Sequence, residues 1–421
     1  MRVAVIGGGG REHALVWKLR QSKKVAELFV LPGNPGMAGL ASLCAVGMNV
    51  PDLIAEVERI KVDFVVVGPE QPLAEGLADE LARKGILCFG PVKAAAQLEA
   101  SKVFSKRLMK SCGVPTAEFE VFDDFKEFEQ FIKSNPRSNG RVVKADGLAA
   151  GKGAFVCATD ADAIDVGRRL LLLKELGDAG TEIVVEEKQS GREASLHFLC
   201  DGERYLSLPP AQDYKRAFDG DRGPNTGGMG TFCPAKHVDN ATIRDVENRV
   251  VSPILRALSQ RGVAYRGVLY VGLMFTVEGP QVIEFNCRFG DPETQVMLPC
   301  LSYDLLEPMI ECAKGRLTPH KYSESAVRQA VCVVLCADGY PDTYAKGILL
   351  KDFEATGQQL LFSAGTTMHE GHWVSSGGRV LNAVGLGETM VEARENAYDL
   401  AQSALVKGLR MRNDIALSEV S

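Results

Sequence analysis

VIEFNCRFGDPET, residues 282–294, runs from an apolar alternation straight into a charged loop. The alternation predicts a β-strand, on which side chains two apart share a face. Glu284 and Asn286 then point one way, and Ile283 and Phe285 the other. Two hard oxygen ligands on one face suit Mg²⁺, which takes one or two protein ligands and completes its shell with water and phosphate oxygens. Arg288 adds a rigid fork for a phosphate or carboxylate, and Gly290-Asp291-Pro292-Glu293 adds more carboxylate. The combination reads as a nucleotide-dependent phosphoryl-transfer site. Taken alone it also fits a solvated edge strand in which Arg288 pairs with Glu293, so the segments upstream decide.

VVKADGLAAGKGAFV, residues 142–156, reads as strand, glycine-rich loop, strand. It departs from a Walker A loop: Gly153 follows Lys152 where Ser or Thr belongs. Between two strands such a loop is a flap, whose small residues let backbone amides close over phosphates. Lys144 ends the strand below it, and Lys106 lies on the preceding predicted helix; ammonium groups against a triphosphate are sound electrostatics. In IVVEEKQSGREAS, residues 183–195, Glu186 and Glu193 flank a turn at Ser190-Gly191. A strand end there offers backbone groups to a base edge, and a carboxylate beyond the turn can accept from ribose hydroxyls.

Further upstream, residues 1 to about 100 alternate strand and helix: VAVI ending at Gly7, a helix over 11–20, LFVL, VDFVVVG, a helix over about 73–84, ILCFG, and a helix over about 93–111. Continuous apolar strands separated by helices argue for a doubly wound parallel sheet. The loop GGGGREH after the first strand places amides at a helix N-terminus, where an anion is favoured. As a dinucleotide fingerprint it fails, because Glu12 stands where the third glycine belongs. From about Val114 to Glu187 the strands RVVKA, GAFVCA and EIVVEE surround a helix through Leu173, which a capping box at Thr159 to Asp162 opens. Residues 190 to about 320 alternate strands with glycine-rich loops. The tail from about 326 contains AVCVVLCA, GRVLNAVGLG and a helix over about 389–407.

A chain of 421 residues with 46% hydrophobic and 24% charged content has the composition of a soluble protein of two to four domains. The net charge of −6 with mixed signs, and no run of Lys and Arg, argue against a nucleic-acid partner. Eleven scattered cysteines without a C-x-x-C pair argue for thiols in a reducing cytoplasm rather than a disulfide framework or a zinc site. No apolar run approaches the length of a membrane helix.

In this order the pieces resemble the ATP-grasp superfamily and, within it, the phosphoribosylamine–glycine ligase family. The motifs that carry the resemblance span nearly the whole chain: GGREHAL (9–15), PGN (32–34), VGPEQPL (67–73), AAQLEASK (95–102), KADGLAAGKG (144–153), GPNTGGMG (223–230), EFNCRFGDPETQ (284–295), GYP (339–341) and GGRVL (377–381). The resemblance implies an α/β and α+β multidomain fold. Residues 1–101 form an N-terminal doubly wound parallel sheet for substrate binding. Residues 102–325 form an ATP-grasp core with a small lid subdomain at about 114–189, and residues 326–421 an α+β C-terminal domain. It implies a cytoplasmic, stand-alone, monomeric ligase that uses ATP with Mg²⁺ or Mn²⁺. Glycine's carboxylate would attack the γ-phosphate, and the amine of 5-phosphoribosylamine would then attack the glycyl phosphate. A transient contact with the upstream amidotransferase is implied as well.

Residue by residue, the resemblance makes Glu284 and Asn286 the metal ligands and Lys106 and Lys144 the phosphate lysines. The loop through Gly147, Gly151, Lys152 and Gly153 becomes the phosphate flap. Glu186 and Glu187 become the adenine hinge, and Glu193 the ribose acceptor. Asp213, Lys215, Arg216 and the loop Asn225, Thr226, Gly227 and Gly228 match the acceptor side. Arg288 and Asp291 fall beside the acyl phosphate, with Asp213 and Asp291 the candidates for glycine's ammonium group. Gly9, Gly10 and Glu70 are expected to hold phosphoribosylamine. The chain departs from the family where Lys188 and Gln189 replace the usual apolar residues of the hinge, which puts adenine packing there in question. The competing readings are an NAD(P) oxidoreductase, another ATP-grasp ligase of purine metabolism, and a non-catalytic nucleotide-binding regulator. The failed third glycine argues against the first, GPNTGGMG against the second, and the intact Lys144, Glu284, Asn286 and Arg288 against the third.

Overall fold

The computed structural model describes residues 1–149, 153–322, 328–351, 355 and 357–420. The N-terminal alternation folds into a five-stranded parallel sheet, in the order Ser42–Leu43, Glu27–Pro32, Arg2–Gly7, Phe64–Val67, Leu87–Phe89. Its strands are apolar on both faces. Val3, Val5 and Val66 pack with Leu15 and Leu19 of the helix Gly10–Arg20 in one core. Ala4, Ile6, Val65 and Val67 pack with Leu53 and Val57 of the helix Val50–Arg59 in another. That second helix, capped by Asn49, is missing from the sequence reading. Two expected helices are each divided. Gly76, at φ +98°, ends Glu70–Glu75 and starts Leu77–Arg83. Ser101 leaves helical geometry to cap Lys102–Cys112, its Oγ accepting from the Phe104 amide at 2.9 Å, so the preceding helix stops at Ala100.

The next unit is a four-stranded antiparallel sheet, in the order Phe119–Phe122, Ile183–Glu187, Arg141–Ala145, Ala154–Cys157. The helices Phe125–Ser134 and Asp160–Leu171 pack against it through a core of its own, built on Phe128, Ile132, Val143 and Leu170. The capping box at Thr159 and Asp162 forms as the sequence predicts. A second four-stranded sheet carries Tyr205–Ser207, Arg192–Asp201, Arg266–Thr276 and Gly279–Asn286. Between its strands lie the helices Asn240–Val246 and Ser252–Gln260, in a region read from sequence as strands and loops; the Asp239 side chain caps the first.

The C-terminal sheet runs in the order Gln212–Asp213, Gly230–Cys233, Gln329–Ala337, Arg379–Gly387, Gln359–Ser363, with Leu409–Arg410 paired to Gln329–Ala337. The helix Met390–Ala404 lies against it, burying Ala393, Ala397 and Leu400. This sheet crosses the expected boundary at 325/326. Strands from either side of it hydrogen-bond along Gly230–Cys233 and Gln329–Ala337, so the segment bearing Asp213 and the 225–228 loop hangs from the C-terminal sheet. All eleven cysteines are free thiols. Among the described residues no helix is long and apolar enough to cross a membrane.

Candidate active site

The lid sheet, the strands Arg266–Thr276 and Gly279–Asn286, the helices of residues 93–112 and the 212–228 segment enclose a cleft of about 760 Å³. Glu284 and Asn286 line it. The strand pairing shifts between Gly272 and Leu273: Leu273 faces Val282 and Gly272 faces Glu284, which leaves Ile283 unpaired. That bulge overrides strict alternation. Ile283 therefore lines the cleft beside Glu284 instead of pointing away from it as expected, and Val282 and Phe285 take the core positions. Among the described residues the Glu284 carboxylate has neither a hydrogen bond nor an ion pair; burial opposes its charge, but Lys215, Lys144 and Lys102 outweigh burial and hold it below the usual carboxylate range. Asn286 Oδ1 accepts a long hydrogen bond of 3.3 Å from Arg288. A carboxylate without a partner among the described residues and an amide oxygen held only by that long hydrogen bond, both on one wall, fit a divalent cation that shares its shell with phosphate. Among the described residues no group of three or more His, Cys, Asp or Glu side chains could hold a metal alone.

The lysines divide by role. Lys144 Nζ donates to Glu186 at 2.9 Å and to the Ile283 carbonyl at 3.0 Å, tying the lid strand to the strand Gly279–Asn286. Lys106 is buried, 3.1 Å from the same Glu186 carboxylate, and donates to Thr116 Oγ1 at 2.6 Å. Burial lowers it to about 8, with Glu186 working the other way. The Glu186 side chain is thus committed between two lysines, and the Glu187 amide is engaged as well, donating to the Glu118 carbonyl at 3.1 Å. Lys102, one turn before Lys106 and not singled out from sequence, has no carboxylate within ion-pair distance among the described residues; burial pulls it below the usual lysine range against the attraction of Glu284. Its position follows from the flap root. Asp146 accepts from the Val103 amide at 2.7 Å and from Ser101 Oγ at 2.9 Å, pinning the helix N-terminus that carries Lys102. Gly147 and Gly153 bracket the flap and Gly153 lines the cleft; Gly151 and Lys152 lie outside the described residues. Glu187 pairs with Arg137 at 2.8 Å. Glu193 lines the cleft 3.6 Å from Lys215.

Beyond Glu284 and Asn286, Arg288 is held by Glu99 at 2.9 Å and Glu70 at 3.3 Å, not by Glu293. Glu99 also accepts from the Cys287 amide at 2.6 Å. Burial lifts Glu99 to about 7, with Arg288 pulling back. Asp291 is engaged on both oxygens, by Gln295 at 2.8 Å and by Arg379 at 3.3 Å. Burial opposes its charge, but Arg379 and Arg11 outweigh burial and hold it below the usual range. Arg379 also donates to the carbonyls of Gly227 at 2.6 Å and Asp291 at 2.8 Å. The 225–228 loop is tied down by the Thr226 amide on the Lys215 carbonyl at 2.8 Å, the Gly228 amide on Thr226 Oγ1 at 3.0 Å and the Gly227 amide on the Tyr340 hydroxyl at 3.1 Å. Arg216 donates to the Gly223 carbonyl at 2.8 Å across its hairpin, beside Asn225. Asp213 and Lys215 both line the cleft. Burial works against the Lys215 charge, yet Glu193 and the acids around it hold the ammonium well above the usual lysine range.

The glycine-rich N-terminal loop is filled from within. Glu12 turns back to accept the Gly9 amide at 2.6 Å and pairs with Arg11 at 2.5 Å. Side chains at Gly7 or Gly68 would collide with it. The space a dinucleotide pyrophosphate needs at that turn is occupied by a carboxylate, which removes the NAD(P) reading. Gly9 is half-buried near Asp291, Gly10 is buried against Asn382 and Gln295, and Glu70 reaches the cleft. The site residues that sequence reasoning missed are Lys102, Glu99 and Arg379, while Glu293 belongs to the acid loop that it names. Each lies in a quoted motif; what marks it out is its tertiary partner.

A two-sheet grip on one cleft, with Lys144 on the lid strand, Lys102 and Lys106 on the adjoining helix and Glu284 and Asn286 on the opposing strand, is the ATP-grasp arrangement, and it defines the class. A biotin carboxylase from Campylobacter jejuni, solved as a beta-gamma-ATP complex, shares the fold with a TM-score of 0.75 over 97% of this chain and 92% of that one, at 16% identity. The chain matches the phosphoribosylglycinamide synthetase families along its length: N domain over 1–99, ATP-grasp (A) domain over 100–294 and C domain over 330–418. It belongs to that family. It is 42% identical over 417 residues to a phosphoribosylamine–glycine ligase from Caldanaerobacter subterraneus subsp. tengcongensis, covering 99% of each chain. It is 35% identical to the crystal structure of a phosphoribosylamine–glycine ligase from Thermotoga maritima, with a TM-score of 0.86 over 99% of this chain and 100% of that one.

Proposed function

We propose that this protein joins glycine to 5-phosphoribosylamine at the expense of ATP, the second step of purine biosynthesis. One oxygen of glycine's carboxylate bonds to the γ-phosphorus as the bond to the β–γ bridging oxygen breaks, releasing ADP. The amine nitrogen of phosphoribosylamine then bonds to the acyl carbon; the carbon–oxygen bond to phosphate breaks and a proton leaves the nitrogen. The products are glycinamide ribonucleotide and phosphate. The observation that carries the reading is one cleft in which Glu284 and Asn286 meet Lys102, Lys144 and Lys215, with Arg288 alongside. No nucleophilic side chain is required, because positioning and charge neutralisation supply the catalysis.

Lys102 and Lys144 neutralise the triphosphate. Glu284 and Asn286 would hold Mg²⁺ or Mn²⁺, which supplies charge neutralisation at the phosphates. The backbone of Glu186–Gln189 meets the adenine edge and Glu193 the ribose. Arg288, fixed by Glu70 and Glu99, faces the acyl phosphate. The flap from Gly147 to Gly153 closes over ATP and excludes water. The phosphoribosylamine side is built by Glu70, Gly9 and the 225–228 loop. The N-terminal unit divides from the ATP-grasp core at 101/102, while the C-terminal unit shares its sheet with Gln212–Asp213 and Gly230–Cys233; the protein works as a cytoplasmic monomer that meets the upstream amidotransferase transiently.

Omitting substrates one at a time in a coupled ADP assay tests the reading. ADP release should require glycine, phosphoribosylamine and a divalent cation together. Equal ADP release with other amino acids in place of glycine overturns it.

A further inference from the structure

His197 lies two residues beyond the 183–195 stretch, on the strand Arg192–Asp201, and is fully buried. It belongs to one row across the sheet: His197 pairs with Tyr270, and Tyr270 pairs with Asn286 on the outer strand. After Asn286 the chain returns across those strands, and the Gly290 amide donates to His197 Nε2 at 3.1 Å. Arg288 and Asp291 flank this amide on either side. The contact needs a glycine, because a Cβ at 290 would lie 2.9 Å from His197 Nε2 and 2.5 Å from Glu293 Oε2.

Since the amide donates, Nε2 carries the lone pair and the ring proton sits on Nδ1. That Nδ1 is buried without a hydrogen-bond partner among the described residues. An orphaned polar group in a core is costly, and a phenyl ring would fill the same space without the cost. The imidazole is therefore explained by what Nε2 does. The ring is held from two sides, edge-on to Tyr270 at 4.8 Å between centroids and facing Phe289 at 6.5 Å. Phe289 in turn meets Phe89 of the N-terminal sheet at 6.4 Å. Burial, with Arg288 adding to it, lowers the imidazole to about 3, so the lone pair stays available at neutral pH.

We infer that His197 is a positioning residue for the ligase reaction: its Nε2 lone pair holds the Gly290 amide and thereby sets Arg288 and Asp291 against Glu284 and Asn286. The inference rests on the proposed ligase reading. Glu99 and Arg379 grip the side chains on either side of Gly290, and His197 anchors the backbone between them.

The test compares the intact parent chain with His197→Phe, which keeps a flat ring and loses the acceptor, and His197→Gln, which restores an acceptor oxygen. In steady-state ADP release with glycine and phosphoribosylamine, His197→Phe should lower kcat by about tenfold, and His197→Gln should recover much of that loss. The KM for ATP should hold within about twofold in both, because Lys102 and Lys144 stand on other elements. Nitrogen-15 NMR of the parent should place the His197 ring proton on Nδ1. An unchanged kcat in His197→Phe, a kcat in His197→Gln as low as in His197→Phe, or a ring proton on Nε2 overturns the positioning role. Should His197→Phe lose the ATP-induced rise in melting temperature that marks a folded site, the ring proton of the parent decides alone. A parent protein that releases no ADP with both substrates present overturns the ligase reading instead.

Discussion

Arg379 Nη2 stands 3.3 Å from the Asp291 carboxylate, and Arg379 Nη1 donates to the Asp291 carbonyl from a strand 88 residues further along the chain. The same guanidinium holds the Gly227 carbonyl at 2.6 Å. One side chain of the C-terminal sheet thereby fixes the loop after the strand Gly279–Asn286 against the 225–228 loop.

Removing that clamp should disorder both loops at once. Arg379→Ala is expected to lower kcat/KM by about 100-fold, since charged hydrogen bonds to buried partners contribute roughly 1.5–3 kcal/mol. Arg379→Lys, which cannot span both loops with one planar fork, should recover only part of it. Kinetics with each substrate varied in turn will show the loss in glycine and phosphoribosylamine, with the KM for ATP little changed.

Glu284→Ala should abolish turnover while the fold survives, because the carboxylate faces the cleft and has no hydrogen bond or ion pair to lose among the described residues. A drop of at least about 100-fold in kcat is expected for a group acting on phosphoryl charge. An unchanged far-ultraviolet circular dichroism spectrum and a normal kcat together would remove the metal-ligand role.

Lys102 and Lys106 should behave differently. Lys102→Ala takes away a cation that attracts Glu284 and whose one side-chain contact among the described residues is a long hydrogen bond of 3.4 Å to the Gly147 carbonyl, and should raise the KM for ATP by about tenfold or more with little change in melting temperature. Lys106→Met breaks a buried contact to Glu186 and Thr116, and should cost about 2–4 kcal/mol of stability. Thermal melts and ATP titrations of the two variants separate these outcomes.

His13 ties the N-terminal helix to the C-terminal sheet by accepting the Ser363 amide at 2.9 Å on Nδ1. Burial lowers it to about 4 from an ordinary value of 6.5. The unfolded chain therefore takes up this proton first as the pH falls, and the stabilisation is complete above pH 6.5 and lost between 6.5 and about 4. At pH 5 the loss from this group should be about 2 kcal/mol. His13→Asn keeps an acceptor for Ser363 without a titrating ring, so its urea-unfolding free energy should fall less between pH 7 and pH 5 than the parent's.

The sequence by itself determined the parallel N-terminal sheet, because strands apolar on both faces must be buried between helices. It also determined the lid hairpin with Lys144, and the strand bearing Glu284 and Asn286, since alternation over a few residues is a local property. It did not reveal that Ile283 shares the Glu284 face, because the bulge opposite Gly272 is a property of the pair of strands. Nor did it reveal that Lys106 and Glu186 pair with each other while Lys102 has no carboxylate within ion-pair distance among the described residues, or that Asp291 is already taken by Arg379 while Glu293 and Asp213 are not. Charge type is written in the sequence. Which charges are spent on one another depends on contacts between segments tens to hundreds of residues apart, and only the packing of the three sheets around the cleft sets those contacts.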